Sequence, residues 1–280
     1  MILSRQFFAI RPAWKNRGFS LIEIMVAVAI LGVIIVGLLA MFYQTQRAFR
    51  TGLTQVDILE SGRAAMQLIR EDLQEAAYSE EALTTNFQVS LSYPSLPPLP
   101  LPGYDGADPA NTATIMAQDV SFLRRNNDEW TGESLRVVDA GGGVGTLYRL
   151  LVLTNRYYIG PLSDFVRSSA FSTNFMRVAD GIVHFRVQPF DSKGLMITNP
   201  VPGFWVQPTG YLFASNSLPA FVDIELGVLE PKSVEQFRSR TNNAAKAQEY
   251  LLRQAPRIHF FKQRVTLRNA PQFYSVTNVP

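Results

Sequence analysis

The sequence contains no cysteine and only two histidines in its 280 residues. Without cysteine, the chain forms no disulfide, offers no thiolate nucleophile and has no sulfur ligand for zinc or an iron–sulfur cluster. Two histidines are too few for a metal centre built from several imidazoles. An exported domain of this chain must therefore be stabilised by its core alone.

Motifs that carry catalysis are also missing. The sequence has no Gly-x-Ser-x-Gly elbow, no phosphate-binding loop and no His-Glu-x-x-His pair. The glycines of 141–145 lack dinucleotide spacing and precede no helical pattern, so they predict a hairpin loop. We therefore expect a protein that is not an enzyme and that needs no cofactor.

Charge gives little support for a nucleic-acid partner. Lys and Arg number 26 against 23 Asp and Glu, but four of the cations lie in residues 1–18, where there is no acid. The rest of the chain is balanced, and the basic pI reflects this leader.

The longest apolar run, residues 24–43, contains no charged side chain. A helix needs about 20 apolar residues to cross the hydrocarbon core, whereas the core of a secretory signal has roughly 7–15. The run therefore predicts a membrane-spanning helix rather than a cleaved secretory signal. Arg5, Arg11, Lys15 and Arg17 precede it, so we expect the amino end to be cytoplasmic.

Glu23 is an acid at the head of this apolar helix. One interpretation is an interfacial carboxylate stabilised by the helix dipole. The other is a charge that meets a second chain, because an ionised carboxylate in lipid is costly without a partner. If the bond between Gly18 and Phe19 were cut, the new amine of one subunit could neutralise Glu23 of its neighbour.

The stretch Gly18-Phe19-Ser20-Leu21-Ile22-Glu23, followed by the apolar run, resembles the class III signal of type IV prepilins and type II secretion pseudopilins. The resemblance implies that prepilin peptidase cuts after Gly18 and methylates Phe19, and that Glu23 aligns subunits during assembly. It implies as partners other pilins, an inner-membrane assembly platform and membrane lipid. Position 40, where many major pilins have a helix-bending proline, is Ala40.

Residues 44–78 continue the helix beyond the membrane. Apolar residues spaced by three, four and seven predict one stripe that packs under a head: Leu53, Val56, Leu59, Met66, Ile69, Leu73 and Ala76. Gly52 and Gly62 are expected weak points of the helix.

Residues 79–133 contain a proline-rich stretch, 94–102, which excludes helix and predicts a surface loop. The alternative is a docking strip for an aromatic-lined groove. Asp105 and Asp108 are carboxylates that calcium could use, although their spacing is not that of an EF-hand loop.

Residues 134–280 predict an antiparallel sheet, with Asp180-Gly181 and Asp191–Gly194 as turns. The apolar and alternating segments that predict strands are 135–138, 147–153, 156–159, 182–188, 221–229 and 258–267. A helix is expected over 234–253, capped by Ser233 and ended by Pro256. We expect His259 to be exposed or satisfied rather than a ligand.

The predicted fold is α+β and pilin-like: a long N-terminal helix, membrane-spanning in its first half, packed on an antiparallel sheet head. The expected parts are a leader (1–18), a membrane and assembly helix (19–43), its periplasmic continuation (44–78), the proline-rich region (79–133) and the head (134–280). Residues 60–78, 178–187 and 263–269 resemble J-type minor pseudopilins and W-type minor pilins.

The resemblance implies a minor subunit that primes or caps a filament of a type IV pilus or type II secretion machine. Such a subunit would be single-pass in the bacterial inner membrane with a periplasmic head. The alternative function is a filament-displayed adhesin or substrate-binding module. Deleting residues 94–109 separates the two, because lost binding with intact assembly favours the binding module.

Overall fold

The computed structural model describes residues 19–79, 84–91, 99–102, 112–126, 129–139, 143–154, 175–197, 204–207, 210–214, 216–239 and 244–270. It divides into two units, Met1–Gly52 and Leu53–Pro280. The leader, most of the proline-rich stretch, Asp105, Asp108 and the strand predicted over 156–159 lie outside the described residues.

The architecture is α+β, with a long N-terminal helix followed by an antiparallel sheet, as predicted. The helices are α1 (Leu21–Gln74), α2 (Pro231–Arg238) and α3 (Ala244–Gln254), and a short 3₁₀ helix spans Ala255–Arg257. The strands are β1 (Thr85–Leu91), β2 (Leu99–Pro102), β3 (Thr112–Ile115), β4 (Gln118–Asn126), β5 (Glu129–Asp139), β6 (Gly145–Thr154), β7 (Phe175–Phe190), β8 (Phe204–Gln207), β9 (Gly210–Ala214), β10 (Phe221–Leu229) and β11 (Ile258–Thr266).

Nine of these strands form one sheet in the order β11-β10-β7-β6-β5-β4-β1-β9-β8. Every neighbouring pair is antiparallel, and β2 pairs separately with β3. Strands β4 to β7 are neighbours in chain order, with short connections from β4 to β5 and from β5 to β6. The pairing of β5 with β6 agrees with the hairpin predicted at the glycine run.

Strand β7 changes partner along its length. Its first part pairs with β6 and its second part with β10. The register skips Gly181, since Gly145 faces Ile182 while Thr146 faces Asp180, and Gly181 has φ +73°. The turn predicted at Asp180-Gly181 is therefore wrong: the glycine forms a bulge inside a strand, which also needs a positive φ.

The turn predicted at Asp191–Gly194 is confirmed. Asp191 Oδ1 accepts hydrogen bonds from the N–H groups of Lys193 at 2.9 Å and Leu195 at 2.7 Å. Gly194 has φ +77°, which suits a residue without a Cβ.

Within the second unit, one stripe of α1 packs against the sheet. The buried helix residues there are Ile58, Gly62, Ala65, Met66, Ile69, Asp72 and Leu73. The predicted stripe is right from Met66 onward and wrong before it, because Leu53, Val56 and Leu59 are exposed. The packed face starts at Ile58, and periodicity alone does not show where the sheet begins to cover a helix.

The sheet begins earlier in the chain than the sequence predicts. Strands β1 to β4 lie in the region expected to be a loop. Several polar residues of β1 and β4 are buried, and Asn86 of β1 accepts the N–H of Ser79 at 2.9 Å and donates to the Ser217 carbonyl at 3.2 Å. Hydrogen bonds to residues distant in the sequence thus stabilise a strand in a segment whose composition predicts a loop.

Two helices occupy the place of the single one predicted over 234–253. Helix α2 starts at Pro231, whose fixed φ suits a first helical position. Ser233 is therefore buried inside the helix instead of capping it. Helix α3 ends at Gln254, before Pro256 as predicted. Both helices pack in a second core with Val183, Leu229 and Ile258.

A buried histidine of β7, which the sequence did not indicate as important, bonds to a residue just before β4. His184 Nδ1 accepts the N–H of Met116 at 3.1 Å, and its Nε2 lies 3.4 Å from Glu225 Oε2. That contact, with help from Lys262 and Arg186, lowers the pKa of Glu225 to about 2 despite its burial. His259 is half-buried, with Nε2 3.9 Å from Glu230 Oε1.

Candidate assembly segment

The described chain begins at Phe19, and α1 starts two residues later. Ser20 caps this helix: its Oγ accepts the N–H of Glu23 at 3.3 Å, and its carbonyl accepts the N–H groups of Glu23 at 3.0 Å and Ile24 at 3.3 Å. A serine in this place satisfies donors that have no partner within the helix. Serine three residues before glutamate is a sequence signal for a helix start, so Ser20 could have been predicted as the cap.

Glu23 lies in the first helical turn with its side chain exposed. Its carboxylate forms no ion pair within the described residues. The helix dipole favours an acid here, by about 0.3–1 kcal/mol. The structure therefore places Glu23 on an uncovered surface where a second molecule can reach it.

The apolar side chains that follow are uncovered in the first unit. Phe19 is 79% exposed, Leu21 78% and Val33 74%, and the same holds along the whole run to Tyr43. The most apolar window of α1 has a mean hydropathy of 3.0 and is 0% buried. By length and composition, α1 is the one described helix that can cross a membrane.

Each Leu, Ile or Val side chain that stays exposed to water lacks the stabilisation of about 1.5–3 kcal/mol that burial would give it. A surface of this size requires lipid or other helices around it. Gly32 and Gly37 leave open space beside the helix, with no atom within 4 Å of an added Cβ. Small residues of this kind allow helices in a membrane to approach closely.

An uncovered apolar helix with one acid in its first turn, followed by a sheet in the second unit, is typical of a membrane-anchored protein. Residues 15–39 match the family model of the prokaryotic N-terminal methylation motif. This match supports a type IV pilin-like protein and implies processing by prepilin peptidase and assembly with other pilins. No curated protein shows a significant match to the sequence.

Of the predicted site residues, the structure describes Phe19 and Glu23, whereas Gly18 lies outside the described residues. Phe19 and Glu23 flank the helix start, four positions apart, and both are exposed. Cleavage after Gly18, methylation of Phe19 and pairing of Glu23 remain predictions.

The second unit contains a group of interacting charges, buried at Asp72 and Glu133 and exposed at Glu75, that the sequence did not predict. Asp72 Oδ1 accepts hydrogen bonds from Arg124 Nη1 at 3.1 Å and Arg149 Nη2 at 2.6 Å. Glu133 accepts from the same two arginines, at 2.8 and 2.7 Å, and Glu75 also pairs with Arg124. We call these five residues the charge cluster. They come from α1, the segment after it, β4, β5 and β6, so they join helix to sheet.

The charge cluster shifts one pKa strongly. Burial and the nearby Glu133 carboxyl raise the pKa of Asp72 to about 8, although Arg149 and Arg124 act in the opposite direction. Asp72 Oδ2 is buried and accepts no hydrogen bond from the described residues. Burial and the Glu133 carboxyl thus act against ionisation of Asp72, while its two arginine contacts favour it.

Proposed function

We propose that this chain is a minor pilin or pseudopilin, inserted into a filament through its N-terminal helix, where it primes or caps assembly. The observation that carries the proposal is the methylation motif at residues 15–39, on a helix whose apolar surface is uncovered and begins with one acid. The motif also favours a structural protein over an enzyme.

In this proposal, prepilin peptidase removes residues 1–18 and methylates the amine of Phe19. The amine is positively charged at neutral pH, since α-amino groups have pKa values of about 7.7–8.0. Glu23 of a neighbouring subunit is the partner that this cation needs once both lie among apolar helices. The pair thereby sets the register of an incoming subunit.

The proposed topology follows from charge and hydropathy. The basic leader stays in the cytoplasm, residues 19–43 span the inner membrane, and the head lies in the periplasm. The chain then moves from the membrane into the filament, where the apolar helix is covered by its neighbours.

The experiment that tests the proposal is intact-mass measurement of purified wild-type protein and of Gly18→Ala. We expect the wild type to begin with a methylated Phe19 and the variant to retain residues 1–18, because the peptidase recognises the glycine. Gly32→Ala is the matched control, since this glycine lies in open space and outside the cleavage site. A Gly18→Ala protein of mature mass, or a working wild type that keeps Met1, would contradict the proposal.

A further inference from the structure

A cleft of about 860 Å³ runs between the second part of α1 and strand β11, entirely within the second unit. Its helix wall includes Arg63, Met66, Arg70 and Gln74, and its strand wall is the four-residue stretch 260–263. Arg268 follows at one end. None of its lining residues lies in the membrane and assembly helix, 19–43.

The strand wall is a sheet edge. Four consecutive residues of β11 line the cleft, whereas a sheet face would present every second residue. Strand β11 is also terminal in the sheet order, and among the described strands it pairs with β10 alone. A terminal strand is a template for pairing with an additional strand.

The two ends of the cleft are fixed by contacts between its walls. At one end the ring of Phe261 packs so closely on Gly62 that an added Cβ would collide with it. At the other end Arg268 Nη2 donates to Gln74 Oε1 at 3.3 Å. From residue 62 to residue 74 the helix rises about 18 Å, which matches a strand of about five residues.

The walls are basic. Arg63, Arg70, Lys262 and Arg268 line the cleft, together with one acid, Glu71. Arg63 and Arg70 lie two turns apart on α1, are exposed, and have no ion-pair partner in the part of the chain that the structure describes. An occupant with carboxylates along one side would meet these guanidinium groups.

The aromatic rings of the cleft argue against a single-stranded nucleic acid. Phe261 is packed over Gly62, and Phe260 lies against Gly227 and makes an edge contact with His184 at 5.9 Å between ring centroids. Rings engaged in this way offer no platform for stacking bases.

We propose that this cleft binds an extended acidic segment of a partner protein, which pairs with β11 as an added strand while its carboxylates contact Arg63 and Arg70. Backbone pairing supplies affinity without a sequence requirement, and the arginines select for acidic side chains. The site does not depend on processing or methylation of the N-terminus.

Fluorescence anisotropy of labelled ten-residue peptides tests the proposal on the full chain in detergent. The acidic probe alternates Glu with Thr, and the neutral probe alternates Gln with Thr. We expect the acidic probe to bind, the neutral probe to bind at least tenfold more weakly, and added salt to weaken binding. Arg63→Gln combined with Arg70→Gln should weaken the acidic probe about tenfold.

Lys193→Gln with Lys232→Gln is the matched control, because it removes the same charge from exposed positions elsewhere on the head. An acidic probe N-methylated at every residue keeps its charge but has no N–H group to donate to β11 along either edge, and it should lose binding. Equal binding of the N-methylated probe, equal binding to both double variants, or tighter binding of a single-stranded oligonucleotide than of the acidic peptide would each overturn the proposal.

Discussion

At the scale of single residues, Glu23 carries the most specific expectation. Its backbone N–H is already satisfied by Ser20, while its carboxylate is exposed and forms no ion pair in the described part of the chain. Capping and charge are thus divided between two neighbouring residues. This division allows helix formation and subunit pairing to be tested separately.

We predict that Glu23→Gln, like Glu23→Ala, permits processing but lowers incorporation into filaments at least tenfold. The glutamine keeps the shape of the side chain and removes the charge, so a neighbour's amine would be buried without a counter-ion, at a cost of about 3–5 kcal/mol. Co-purification of tagged variants with the assembled filament measures incorporation.

Ser20→Ala is the control for this pair of variants. It removes a cap worth about 0.5–2 kcal/mol of helix stability and leaves the charge in place, so incorporation should persist. Normal incorporation of Glu23→Gln would show that Glu23 is only an interfacial carboxylate stabilised by the helix dipole and does not pair with a neighbouring subunit.

At the scale of elements, the charge cluster joins α1 to β4, β5 and β6 beside an apolar contact. Replacing one member of a buried group of charges leaves the others unpaired, and this usually lowers the free energy of unfolding by more than the intact group contributes to it. Because Asp72 takes part with a raised pKa, the contact between helix and sheet responds to pH. Glu225 and Asp180 have lowered pKa values, so their contributions to the free energy of unfolding change at lower pH than that of Asp72.

We predict that the free energy of unfolding falls as pH rises from about 4 to about 8 through Asp72. In the folded state Asp72 keeps its proton up to a pKa of about 8, whereas in the unfolded chain it releases the proton near 3.8. The contribution of Asp72 to the free energy of unfolding is therefore complete below pH 3.8 and is lost as the pH rises through about 8. One proton gives a slope of at most about 1.4 kcal/mol per pH unit.

Asp72→Asn should flatten this slope, because the amide resembles the neutral carboxyl at every pH. Urea unfolding followed by tryptophan fluorescence at pH 5, 6.5 and 8 measures the difference between variant and parent. Asp223→Asn is the control, since that carboxylate pairs with Arg264 outside the charge cluster. Parallel pH profiles for the parent and Asp72→Asn would show that Asp72 is ionised throughout.

At the scale of the whole molecule, the two units have opposite surface character. In Met1–Gly52 the apolar side chains of the described residues are uncovered, and in Leu53–Pro280 apolar residues form two cores. The motif and the apolar helix support membrane anchoring. The orientation across the membrane belongs to the proposal and is open to a direct test.

The absence of cysteine makes each introduced thiol a unique reporter. We predict that Lys193→Cys, on an exposed turn of the head, reacts with a membrane-impermeant maleimide in intact spheroplasts. Ser4→Cys, combined with Gly18→Ala to retain the leader, should react only after lysis. Labelling of Ser4→Cys before lysis, or protection of Lys193→Cys, would reverse the proposed topology.

Several features of the chain follow from the sequence because they are local. Hydropathy over residues 24–43 and the order Gly18-Phe19-Ser20-Leu21-Ile22-Glu23 need no tertiary context, and they agree with the membrane-capable helix and the methylation motif. Strand β10 was also predicted with its bounds, from the alternation of apolar and polar residues in its first part, although every residue from Ile224 onward is buried.

Tertiary structure alone decided the rest. Periodicity predicted that Leu53, Val56 and Leu59 are buried, yet α1 is covered only from Ile58 onward. The cleft closes through Arg268 and Gln74, which are 194 positions apart, and Asp72 meets Arg149 across 77. Such contacts depend on strand order and helix placement, and a burial pattern within one segment carries no information about which distant segment will cover it.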